Sequence, residues 1–136
     1  GPFDIVFCVG LHYHMAEPHR FMGEMARACR RAIFLDTWTA PETDDHPSVG
    51  IYSLSPLTEH EGLPGRWFGE HELDAGADKD RLNALKWASW GNRASFWPTK
   101  AALVRSMREA GRVSRRTVVQ AGLRSPNRCS RTSRHR

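Results

Sequence analysis

At 136 residues the chain has room for one domain with a modest core or for part of a larger one. Its formal charge of +5 comes from the end of the chain: residues 112–136 hold eight arginines and no acid, so residues 1–111 carry 12 basic against 15 acidic side chains, a formal −3. That distribution argues against a basic nucleic-acid-binding body. No stretch approaches the roughly 20 apolar residues that span a bilayer. The three cysteines, Cys8, Cys29 and Cys129, have no CxxC spacing. The expectation is a soluble, cytoplasmic protein without metal-binding cysteines.

Gly1-Pro2 leads straight into Ile5-Val6-Phe7-Cys8-Val9, an apolar run ended by Gly10. This reads as a strand buried on both faces of a parallel sheet, and so abrupt a start predicts a chain truncated upstream. His12, Tyr13 and His14 follow at once, and Pro18 marks the start of a helix. Ligands of open α/β sheets bind beyond the carboxyl ends of strands, which makes this loop the first candidate site. The helix is expected to run to about Arg31, with Met22, Met25, Ala26 and Cys29 on its inner face. Ala32-Ile33-Phe34-Leu35 is then a second buried strand ending at Asp36-Thr37-Trp38. Strand, helix and strand make a βαβ unit, which should set His12, Tyr13 and His14 beside Asp36 and Thr37.

From Ala40 to about Lys79 the composition shifts to Pro, Gly, Asp, Glu and His, with Ile51–Leu54 and Arg66–Phe68 as short strand candidates. A connection this long at the functional rim reads as an insertion over 40–80, a lid or substrate loop. A helix is expected over Asp80 to Trp90. Pro98 excludes helical dihedrals at Trp97, and Thr99 is placed to cap a helix running to Ala110, with Leu103, Met107 and Ala110 inward and Gly111 as its stop. Beyond it only Thr117-Val118-Val119 has strand character. Ala121 to Arg136 should be disordered.

The run Phe3-Asp4-Ile5-Val6-Phe7-Cys8-Val9-Gly10-Leu11-His12-Tyr13-His14, with Pro18 beyond, resembles the fourth strand and following loop of class I S-adenosylmethionine-dependent methyltransferases, often FDxVxxxGxLYHxxxP. His12 stands where that family has a small or apolar residue. The likeness extends through Leu35-Asp36-Thr37 and Phe96-Trp97-Pro98-Thr99 to Ala110-Gly111. It is nearest in flavour to the subgroup that includes tRNA wobble-uridine carboxymethyl-transferring enzymes. It implies an α/β fold: the C-terminal part of a Rossmann-like methyltransferase sheet over residues 1–111, followed by a basic tail over 112–136. It also implies S-adenosylmethionine as cofactor, near Gly10 and Leu11, and a small-molecule or tRNA acceptor. His14 and Tyr13 become the catalytic candidates, and Thr37, Trp97 and Thr99 the substrate-binding ones, with Trp90 a further possible pocket wall. The family's Gly-rich cofactor loop has no counterpart here, so the chain alone is expected to bind the cofactor poorly and to be inactive.

Two other readings start from the residues. His12-x-His14 after a strand is also how some metal-dependent hydrolases present two ligands, although a site needs at least a third. The arginine-rich tail could bind RNA phosphates, but it lacks the interleaved aromatics that give such binding any grip on bases.

Overall fold

The computed structural model describes residues 2–70, 92–113 and 118–124. The expected helix at 80–90, with Trp90, and the residues from 125 onward lie outside these, as do His71 and Cys129. Two three-stranded sheets organise the described residues. The first is parallel. β1 (Phe3–Val9) leads through a 3-10 turn (His12–His14) and helix α1 (Pro18–Ala28) into β2 (Cys29–Trp38). Pairing from Ile5↔Ala32 to Val9↔Asp36 brings the carboxyl ends of both strands to one rim, as the βαβ reading requires.

The boundary between α1 and β2 falls earlier than the sequence pattern predicts. Cys29, Arg30 and Arg31 belong to the strand, and Phe3 already pairs with Cys29. The Cys29 thiol bonds to the Asp4 and Ala32 carbonyl oxygens, which ties the first residue of β2 to β1. Inter-strand pairing there outweighs the helical spacing that put Cys29 on the α1 face. The N-terminus of α1 is capped from a distance: Glu17 makes no side-chain cap bond, and the Glu61 carboxylate instead accepts from the His19 and Arg20 amides at 2.8 and 3.0 Å.

The second sheet is antiparallel and occupies the insertion. β3 (Thr58–His60) turns through Glu61-Gly62, both at positive φ, into β4 (Leu63–Gly69), which pairs with β5 (Ala94–Pro98). Two consecutive residues at positive φ are what a tight hairpin between twisted strands demands. Arg66–Phe68 is a strand as expected, but Ile51–Leu54 is not: Ile51 ends the short helix α2 (Pro47–Ile51), and the chain turns at Tyr52 and Ser53. His46 caps α2 by accepting from the Ser48 amide. Arg66 is completely buried and donates to the Pro41 and Ser55 carbonyls at 2.9 Å each, with Asp44 as its ionic partner. One guanidinium thereby pins the leading part of the insertion to β4, where loop composition gave no hint of a core.

Thr99 caps helix α3 (Lys100–Val113), its hydroxyl accepting from the Ala102 amide, and Leu103, Met107 and Ala110 are buried as the spacing predicts. The helix runs past Gly111 to Val113. A lone glycine costs about 1 kcal/mol in a helix, too little to end one whose inner face is already packed. The chain then forms β6 (Val118–Arg124), parallel to β2 from Ala32↔Val118 to Trp38↔Arg124. The strand character expected at Val118-Val119 is there, and the strand runs on through Ala121 to Arg124, where disorder was expected. The free edge of β2 offers a full ladder of backbone partners, and pairing needs no apolar side chain.

α1 and α3 pack on the same face of the parallel sheet, where Met22, Met25, Leu103 and Met107 close over Cys8, Ile33 and Leu35. The opposite face is open at β1: Phe3, Ile5, Phe7 and Val9 are 49–70% exposed, so the reading of β1 as buried on both faces is wrong. Alternate residues of a strand point to opposite faces, and among the described residues the helices α1 and α3 cover one of them. Phe7, 70% exposed and stacked on Phe34 at 4.9 Å, therefore contributes little to the core. Phe7→Lys should change the unfolding free energy by about 1 kcal/mol or less while raising solubility. Chemical denaturation and a precipitation assay check both, and a large destabilisation would mean that this face is covered.

Candidate active site at the β1–β2 rim

Gly10 ends β1 at φ +68 and donates its amide to the Asp36 carbonyl at 3.2 Å. The left-handed turn is one a side-chain-bearing residue rarely adopts. It reverses the chain over the carboxyl ends of both strands, so His12, Tyr13 and His14 do lie beside Asp36 and Thr37. The three side chains then separate. His12 points inward and is completely buried, its Nδ1 3.4 Å from the Thr37 hydroxyl and its ring 6.2 Å from that of Phe21. Burial holds its pKa down at about 4, with the Pro18 backbone pulling more weakly the other way. Tyr13 leans back over the turn, its hydroxyl 3.8 Å from where a Cβ on Gly10 would stand, and its ring 4.3 Å from that of His14.

His14 reaches across to the antiparallel sheet. Its Nδ1 lies 2.9 Å from both carboxylate oxygens of Glu70, whose side chain is completely buried. The buried Ser95 hydroxyl donates to Glu70 Oε1. Glu70 stands just past β4 and Ser95 on β5, and the Glu70 amide bonds to the Arg93 carbonyl at 3.0 Å. The backbone of the His loop is bolted to the same segment. Asn92 Nδ2 donates to the His14 carbonyl at 2.8 Å, the Phe96 amide to that of Met15 at 3.0 Å, and the Trp97 indole N–H to that of Tyr13 at 2.9 Å. Four independent hydrogen-bonded links thus join the rim loop to the second sheet.

The substrate-binding candidates are committed inside the fold. Trp97 is 4% exposed and stacks on Trp38 and Phe68. Thr99 caps α3, its amide bonding to the Pro64 carbonyl. Thr37 is buried against His12. Open space adjoins the loop instead at a cavity of about 460 Å³ that includes Met15, Phe21, Trp67 and Asn92 in its lining, with Glu17 and Arg20 among its polar groups. Aromatic surface with a polar rim suits a small polar molecule.

Glu70 is the rim side chain that sequence reasoning missed. It is 56 positions from His14, in a stretch with no periodicity, and no spacing rule connects them. For the hydrolase reading, the described residues contain no group of three or more His, Cys, Asp or Glu side chains arranged to hold a metal. His12 and His14 face different partners, one Thr37 and the other Glu70.

No family model matches the chain, and no curated protein does. Two solved structures do. The N-terminal domain of EvdMO1 with SAH bound superimposes with a TM-score of 0.56 at 24% identity, over 83% of this chain and 38% of that one. The same domain in the presence of SAH and D-fucose gives 0.54 at 23% identity, over 81% and 37%. The chain spans less than two fifths of the length of these structures. Its described residues have a mixed α/β fold, matching part of a domain crystallised with SAH bound.

Proposed function

We propose that this chain is the acceptor-side part of an S-adenosylmethionine-dependent methyltransferase. The reading rests on one observation above others: the ends of β1 and β2 meet at a rim carrying Gly10 to His14, within a fold shared with a domain crystallised with SAH. SAH is the product left when S-adenosylmethionine gives up its methyl group. The residues fit a share of that cofactor. Gly10 bends the strand end away, the half-exposed Leu11 offers apolar surface, and the Tyr13 hydroxyl overhangs the hollow that a Cβ at Gly10 would fill. When bound, the cofactor supplies an electrophilic methyl on sulfonium. The contribution of this chain is to position the acceptor and handle its proton.

His14 is the group for that task, being partly open at the rim and backed by Glu70. Tyr13 bounds the space between the cofactor turn and His14. For the acceptor we favour a small hydroxylated molecule at the rim beside His14, a class that includes the D-fucose present with one of the similar structures.

Titration of SAH into the 136-residue chain, followed by amide resonances, tests the reading. Weak binding with shifts confined to Gly10–His14 and Asp36–Trp38 is expected, because one part of a cofactor site supplies only part of the binding energy. Shifts centred on β3 and β4, or none at saturating ligand, would overturn it.

A further inference from the structure

The His14–Glu70 contact has a chemical direction. A carboxylate buried without exposure is costly unless its oxygens are hydrogen-bonded, and Glu70 receives Ser95 Oγ–H on Oε1 while both its oxygens face His14 Nδ1. A ring nitrogen held 2.9 Å from two carboxylate oxygens must carry the hydrogen, since a lone pair there would face two others. Nδ1 is therefore the donor, and in the neutral ring Nε2 keeps the lone pair. Nε2 has no hydrogen bond among the described residues, and the His14 side chain keeps 16% of its surface open. The ring cannot drift, because three bonds from Asn92, Phe96 and Trp97 hold the backbone on either side of it.

We propose that Glu70, supported by Ser95, is the positioning residue that fixes His14 as the Nδ1–H tautomer and presents Nε2 as the proton acceptor for a hydroxyl substrate. This deepens the methyl-transfer reading and depends on it for the identity of the reaction. The acceptor O–H bond breaks and an N–H bond forms at Nε2. With the cofactor bound, the oxygen would take the methyl group with an electron pair of its own, and the sulfonium sulfur would keep the pair of the broken S–C bond. The imidazolium that results faces the Glu70 carboxylate, which stabilises it. An acceptor with no proton to lose would need none of this, and so the dyad serves acceptors that must shed one, hydroxyls among them.

Two measurements on the 136-residue chain, both without cofactor, test the proposal. Nitrogen-15 spectra of the histidine rings should show His14 protonated at Nδ1, with that proton far downfield. Diethyl pyrocarbonate should carbethoxylate His14 at Nε2, read by site-resolved mass spectrometry. In Glu70→Leu the ring should relax toward a mixture containing the Nε2–H form, and the carbethoxylation rate should fall several-fold. An Nε2–H ring in the wild type, an unreactive His14, or an unchanged tautomer and rate in a folded Glu70→Leu protein would each overturn it. If that variant fails to fold, the two wild-type readouts decide alone. Failure of the SAH titration would remove the methyl-transfer reading and leave the dyad intact; the wrong tautomer would do the reverse.

Discussion

Gly65→Ala should destabilise the chain by about 3 kcal/mol or more, the upper range for overpacking a core. A Cβ on Gly65 would collide with the Trp97 carbonyl oxygen and come within 2.6 and 2.7 Å of the Phe96 ring. The oxygen belongs to the backbone of the paired strand and has no side-chain torsion with which to retreat. Relief requires β4 and β5 to part near Gly65↔Pro98. The same pairing aligns Ser95 with Phe68 and leads on to Glu70, so the substitution should also loosen the support behind His14. Gly50→Ala is the control: its added methyl meets nothing within 4 Å, and in a helix it should be neutral or stabilising by up to about 1 kcal/mol. Urea unfolding midpoints compare the two. If Gly65→Ala unfolds where the wild type does, the close approach of β4 to Phe96 and Trp97 is wrong.

How much of this was legible beforehand follows the range of the forces involved. β2 could be read from Ile33 to Leu35 because burial selects apolar and β-branched residues locally. The α3 cap at Thr99 could be read because a hydroxyl directly after Trp97-Pro98 and before an apolar helical pattern is a local N-cap signal. The side to which β1 turns its apolar residues could not. Phe3, Ile5, Phe7 and Val9 look like core in a sequence, and only tertiary structure says that α1 and α3 both sit on the other face. The second sheet was half legible, through Arg66–Phe68, while nothing in the sequence marked Arg66 as a buried cation. The site divides in the same way. His14 stood out by lying after a strand, whereas Glu70 joins the candidate site only through a contact that spans the insertion.

His12 should make the chain acid-sensitive, with a sign fixed by its burial. Its ring is completely buried, and Nε2 finds no hydrogen-bond partner among the described residues, so a proton there would place a charge where only the Pro18 backbone pulls weakly in its favour. The folded pKa of about 4 lies below the ordinary value of 6.5. Between these values the unfolded chain binds a proton that the folded chain refuses, and stability therefore falls as pH falls. The contribution is complete above pH 6.5, declines from there to about 4, and amounts to about 3 kcal/mol once both states are protonated. His12→Leu keeps an apolar group of similar size in the site and removes the titration. Between pH 7 and pH 4.5 the wild type should lose about 2 kcal/mol more than the variant, the remaining histidines and carboxylates being common to both. Because the His12 ring lies against Thr37 beneath the turn, the rim should loosen over the same range, and amide protection factors at Gly10–His14, taken relative to the intrinsic rate at each pH, should fall with acid in the wild type more than in the variant. Unfolding curves for the two proteins that run parallel from pH 7 to pH 4.5 would show that His12 is not held neutral in the fold.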